Sequence, residues 1–127
     1  MSITQKIIKP SYARQSGLWV LHVHDIIQHI DFVVKETNVI YIPPGVAGGN
    51  HKHPRIEAFF APEEGLELIF QEKGTIKKLP MKSDGNLCIF TIAPMVPHAV
   101  FNNSKKPLPL IEFADGPMQD VQKITLI

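Results

Sequence analysis

Eleven prolines and eight glycines cut this 127-residue chain into pieces too short for long helices. Proline inside a helix removes a backbone donor and clashes with the preceding turn, and glycine there gives up conformational entropy. No stretch sustains apolar residues at i, i+3, i+4 and i+7. The nearest approach is DIIQHIDFVVKE (25–36), whose β-branched residues and shortness make strand or irregular turn at least as good a reading as helix. The rest falls into strand-like runs: LWVLHVH (18–24), DFVVK (31–35), NVIYI (38–42), IEAFF (56–60), LELIFQ (66–71), TIKKL (75–79), NLCIFTI (86–92), HAVFN (98–102), LPLIEF (108–113) and KITLI (123–127). Between many of them stand turn formers such as Pro43-Pro44-Gly45, Glu63-Glu64-Gly65, Glu72-Lys73-Gly74, Ser83-Asp84-Gly85-Asn86 and Asp115-Gly116-Pro117. Short strands at near-regular spacing predict an all-β sandwich or barrel. The mixture of alternating and solidly apolar strands favours a closed sheet with a filled interior. Glu72-Lys73-Gly74 predicts a hairpin joining LELIFQ to TIKKL.

The length fits one domain, residues 1–127, able to bury a core without a disulfide or metal staple. A formal net charge of +1 gives no electrostatic case for nucleic acid or an acidic lipid surface as partner. The one cysteine, Cys88, lies in the apolar run LCIF and reads as an inert core residue in a reducing compartment. MSITQKIIKP lacks the apolar segment of a signal peptide, and no run reaches the ~18 apolar residues of a membrane span. These features predict a cytoplasmic protein.

The chemistry concentrates in GVAGGNHKHPRIEAFFAPEEG (45–65). His51, His53 and Glu57 share parity, so an extended segment would aim all three to one side. Two imidazoles and a carboxylate converging on a point suit a divalent metal, and His98 in APMVPHAVFN is the obvious fourth donor. Three histidines and one carboxylate do not choose among Zn, Fe, Mn, Ni and Cu. Phe59 shares the ligands' parity and should line the interior, with Phe60 on the other face. Asn102, four residues beyond His98, is read as satisfying backbone groups rather than orienting a ligand. Lys52 and Arg55 are expected to point away from the pocket, with no role in stabilising substrate charge. His22 and His24 form a second HxH without a partner motif and read as exposed strand positions. No P-loop, GxSxG or dinucleotide fingerprint is present.

Written as Gly45-x5-His51-x-His53-x3-Glu57-x7-Gly65 and Pro94-x2-Pro97-His98-x3-Asn102, the two segments together resemble the two signature motifs of the cupins, small jelly-roll barrels also called double-stranded β-helices. The resemblance covers about residues 39–113, with residues 1–38 supplying additional N-terminal strands. It implies His51, His53, Glu57 and His98 as ligands of a divalent metal. Within the cupins, GVAGGNHKH looks most like the sugar-nucleotide branch, which includes dTDP-sugar 3,4-ketoisomerases and capsular-polysaccharide enzymes. Two residues depart from those ketoisomerases: Gly48 stands where they carry an arginine, and Glu57 is a metal-type glutamate they usually lack. Met95 and Val96 occupy the stretch where a glycine usually precedes the second-motif histidine.

The resemblance therefore implies a metal-binding enzyme acting on a sugar or sugar nucleotide, as an isomerase or epimerase. In a metal-free variant His51 would be the general base. An iron-dependent dioxygenase is the rival within the enzyme class, and a non-catalytic small-molecule sensor with a structural metal is the rival outside it. Related proteins often dimerise, and the arm ITQKIIK (3–9) offers a strand for pairing across a two-fold in a homodimer.

Overall fold

The computed structural model describes residues 2–127. Its elements run β1 (Ile3–Ile8), β2 (Tyr12–Ala13), β3 (Trp19–Val20), α1 (Val23–Gln28), β4 (Glu36–Ile42), β5 (Ala47–Lys52), β6 (Glu57–Phe60), β7 (Leu66–Glu72), β8 (Thr75–Pro80), β9 (Leu87–Ile92), β10 (His98–Asn102), β11 (Leu108–Ala114) and β12 (Gln122–Lys123). Two five-stranded sheets carry the fold, in the orders β1-β9-β6-β11-β4 and β12-β5-β10-β7-β8, and β2 and β3 form a small ribbon. From β4 to β7 the chain changes sheet at every connection, so it winds between two layers as a double-stranded β-helix does. This is the all-β jelly-roll barrel expected from the sequence.

Alternation along each strand places the core. Cys88, Phe90 and Ile92 of β9 and Phe59 of β6 meet Leu66, Leu68 and Phe70 of β7 and Val100 of β10 between the sheets. Their neighbours Leu87, Ile89, Phe60 and Phe113 face outward and are covered by Ile26 and Ile30 in a second apolar layer. Phe59 and Phe60 thus lie on opposite faces as predicted, and Cys88 is a buried thiol. The expected hairpin forms: Lys73 and Gly74, both with positive φ, join β7 to β8 in the manner of a type I′ turn.

The N-terminal third departs most from expectation. LWVLHVH contributes only Trp19–Val20 to a strand, DFVVK contributes none, and Val23–Gln28 is helical. Asp25 in the first turn and the outer apolar layer, which takes Ile26, favour one short helix over an extended run. His22 and His24 are exposed at this helix rather than on a strand. KITLI is likewise mostly irregular, since β12 ends at Lys123. The arm at residues 3–8 pairs with β9 of its own chain, and as the terminal strand of its sheet it keeps one free edge.

Candidate metal centre

The site lies where β5 and β10 of one sheet face β6 of the other. A bulge sets its geometry. His98 pairs with His51, but Ala99 pairs with Gly49, so Asn50 is the extra residue on β5. Asn50 has φ 56° and its Oδ1 accepts from the backbone N–H groups of Leu126 and Ile127, which accounts for the polar side chain there. Without the bulge, the inward face of β5 that begins at Gly48 would continue through position 50; with it, His51 turns inward instead. Gly49 lets the strands close: a Cβ there would lie 2.9 Å from the His98 carbonyl oxygen and 3.1 Å from Ala99 Cα.

The expectation of one extended segment from His51 to Glu57 is therefore corrected. β5 ends at Lys52, residues 53–56 cross between the sheets, and Glu57 opens β6 in the opposite layer. The three still converge, and His98 joins them: one donor atom from each of the four lies within 4.8 Å of every other. The imidazole rings of His51, His53 and His98 stand 4.8–5.0 Å apart, each steeply inclined to the others, as rings do when their nitrogens face a common point.

The proton positions follow from the neighbours. His53 Nδ1 donates to the Arg55 carbonyl at 3.2 Å and His98 Nδ1 donates to the Val96 carbonyl at 2.8 Å. A carbonyl can only accept, so in the neutral rings each Nε2 is a bare lone pair. Those two Nε2 atoms lie 3.1 and 3.0 Å from Glu57 Oε1. All three atoms are buried and none makes a hydrogen bond. Three lone-pair donors packed against one another repel unless a cation sits among them, and buried donors without partners are rare. The residues thus fit a divalent metal by their chemistry as well as their spacing.

The charges agree. Burial and the imidazoles of His98 and His53 push the half-buried His51 down to about 4, so it is neutral at pH 7. A neutral imidazole at His51 is the state in which that residue could serve a metal.

Arg55 overturns its expectation. It is odd-numbered like the ligands, and it is buried, with only 8% of the residue exposed. Its Nε donates to Glu57 Oε2 at 2.8 Å and its guanidinium also reaches Glu112 Oε1 at 3.0 Å, Glu36, and the Gly116 carbonyl. Glu112, raised by burial and by the charge of Glu57, also accepts from Asn38. Asn102 behaves as read, donating to the carbonyls of Ile42 and Lys106 and accepting from the Ser104 N–H. His22 and His24 take no part in the cluster.

A cavity of about 210 Å³ opens onto His51, Glu57 and His98. Its other walls are largely apolar, from Ile40, Ile42, Phe59, Val100 and Leu110, with Met118 from the C-terminal segment at its edge. The sequence signal for Met118 was nil, because contacts from a segment so far along the chain leave no local pattern.

No protein-family model matches the chain, and no curated protein matches it. Solved structures do match. The sugar 3,4-ketoisomerase QdtA from Thermoanaerobacterium thermosaccharolyticum, in complex with TDP, superposes with a TM-score of 0.71 at 15% identity, over 94% of this chain and 84% of that one. A 3,4-ketoisomerase from Helicobacter canadensis gives a TM-score of 0.74 at 16% identity, over 94% and 87% of the two chains. The capsular polysaccharide assembling protein CapF from Staphylococcus aureus gives 0.62 at 19% identity, over 70% of this chain and 28% of that one. Likeness at these identities establishes the fold, which is the cupin barrel.

Proposed function

From the cupin fold and its His/Glu cluster, we propose that the chain is a metal-binding cupin enzyme acting on a sugar or sugar nucleotide, with isomerase-type chemistry. The observation that carries the metal reading is the set of three buried donors, His53 Nε2, Glu57 Oε1 and His98 Nε2, that have no hydrogen-bond partner. The reaction class draws its support from the 3,4-ketoisomerases that share the fold, one of them crystallised with TDP-4-keto-6-deoxyglucose.

His51, His53, Glu57 and His98 would hold the ion, which when bound polarises a substrate carbonyl or hydroxyl. The chain's own part is to shape the space beside it. Phe59, Val100 and Leu110 exclude water and offer an apolar wall to one face of a ring. His51, neutral at pH 7 and facing the cavity, is the residue that would take a proton if the site works without metal. We also take the protein to be cytoplasmic, on its single buried thiol, and homodimeric, on the free edges of β1 and β4. No helix among the described residues is long and apolar enough to cross a membrane.

A second reading, a non-catalytic binding module, is supported by Arg55: the one arginine lining the cavity is committed to three carboxylates rather than to a ligand. The two separate in one experiment. Metal-loaded protein is incubated with TDP-4-keto-6-deoxyglucose and followed by NMR, alongside Glu57→Gln. Movement of the keto group between C4 and C3 that Glu57→Gln abolishes supports the enzyme. Saturable binding without turnover supports the module and defeats the isomerase reading.

A further inference from the structure

We propose that Arg55 is a positioning residue for Glu57: it takes one carboxylate oxygen so that the other alone is presented to the three imidazoles. This rests on the metal reading above and goes beyond it by assigning a role to a residue outside the ligand set.

The two oxygens of Glu57 do different work. Oε1 lies 3.1 Å from His53 Nε2 and 3.0 Å from His98 Nε2. Oε2 accepts a hydrogen bond from Arg55 Nε at 2.8 Å and forms an ion pair with Arg55 Nη2 at 2.7 Å. An arginine that merely neutralised a carboxylate would commonly take one oxygen with each prong of its fork. Here both guanidinium contacts fall on Oε2, which leaves Oε1 with no hydrogen bond at all.

The guanidinium is itself fixed from the far side. Nη1 reaches Glu36 at the start of β4 and the Gly116 carbonyl after β11, and Nη2 reaches Glu112 on β11. Asn38 holds Glu112 in turn. Arg55 therefore ties β4, β6 and β11 together through Glu36, Glu57 and Glu112. Its side chain is 6% exposed and its donors are engaged, so it is not a substrate anchor. The fork geometry also explains arginine rather than lysine, since an ammonium is a point charge that fixes no carboxylate plane.

The test uses the full chain stripped of metal and titrated with Co(II), whose visible absorption reports its coordination. Wild type, Arg55→Lys and Glu36→Gln are compared by competition against a chelator, with circular dichroism melts run on the same samples. Arg55→Lys keeps the charge and loses the fork. We expect it to bind Co(II) about 10–100-fold more weakly, the range for residues that orient metal ligands, with altered visible bands from a Glu57 free to turn. Glu36→Gln, which leaves the fork but removes the charge of its outer anchor, should show a smaller loss and the same direction of spectral change. A purely structural arginine would lower the melting temperature without altering the bands. Wild-type affinity and bands in folded Arg55→Lys would overturn the proposal. If Arg55→Lys does not fold, unchanged bands in Glu36→Gln overturn it instead. Failure of the wild type to bind Co(II) would sink the metal reading itself, a distinct result.

Discussion

Replacing Gly49 with alanine tests how the fold builds the site. Gly49 has φ +89°, and an added Cβ would meet the His98 carbonyl oxygen at 2.9 Å and Ala99 Cα at 3.1 Å. Both neighbours are backbone, so neither can swing aside as a side chain would. The unfavourable φ costs about 1–2 kcal/mol, and forcing β5 from β10 adds about 1–3 kcal/mol. A total of about 3 kcal/mol lowers the melting temperature of a domain this size by about 10 °C. Gly48 supplies the matched control, because its Cβ would meet only Ile42 Cδ1, at 3.8 Å, with no positive φ. Gly48→Ala should therefore melt within about 2 °C of wild type. The displaced strand carries His51, so Gly49→Ala should also weaken metal binding while Gly48→Ala leaves the ligand spacing intact. The assay is thermal melting by circular dichroism together with chelator competition. Equal melting temperatures and metal affinities for the two variants would refute the reasoning that the close approach at Gly49 sets the distance between His51 and His98.

Other substitutions and conditions have definite outcomes. Asn102→Ala orphans the Ile42 carbonyl and the Ser104 N–H; it should cost about 2–4 kcal/mol in urea unfolding, with metal stoichiometry unchanged, and a loss under 1 kcal/mol would contradict the assigned role. The folded His51 pKa lies below its unfolded value, so the unfolded state binds more protons below pH 6.5. Stability of the metal-free protein, present above pH 6.5, should fall as pH drops through the window from 6.5 to 4; a flat midpoint across it, or one unchanged by His51→Gln, would count against this. Cys88, buried between the sheets, should resist a thiol reagent until the protein unfolds, and rapid labelling of the native state would show that its burial is wrong.

Apart from β5, whose AGGNHK (47–52) carries no strand pattern, the strands from β4 to β11 were legible because breakers bound them and alternation marks their faces; NVIYI, LELIFQ, NLCIFTI and LPLIEF each became a strand within two residues of expectation at either end. The convergence of His51, His53, Glu57 and His98 was legible for a different reason, since the two motifs that carry them also resemble those of a known fold. Parity reached the right convergence by a route the chain does not take. It treated 51–57 as one strand, whereas the bulge at Asn50 and the crossing at 53–56 bring His51 and Glu57 together from opposite sheets. Arg55 was misplaced for a different reason: it shares the ligands' odd parity, which should have turned it toward the pocket, and its partners Glu36 and Glu112 are 19 and 57 positions away, beyond any local pattern. The N-terminal third misled because β-branched residues favour strands locally, while packing over the outer face of β6 and β9 decided for a helix.

The most direct test of the metal centre is elemental analysis of the protein after dialysis against a mixture of Mn, Fe, Ni and Zn salts at neutral pH. Wild type, His98→Ala and Glu57→Gln should be measured together, with folding verified for each. The structure predicts close to one divalent ion per wild-type chain and substantial loss in both folded variants, because each removes an atom from the cluster of mutually unpartnered donors. A folded wild-type protein that takes up no metal, or variants that retain the full complement, would contradict the four-ligand site.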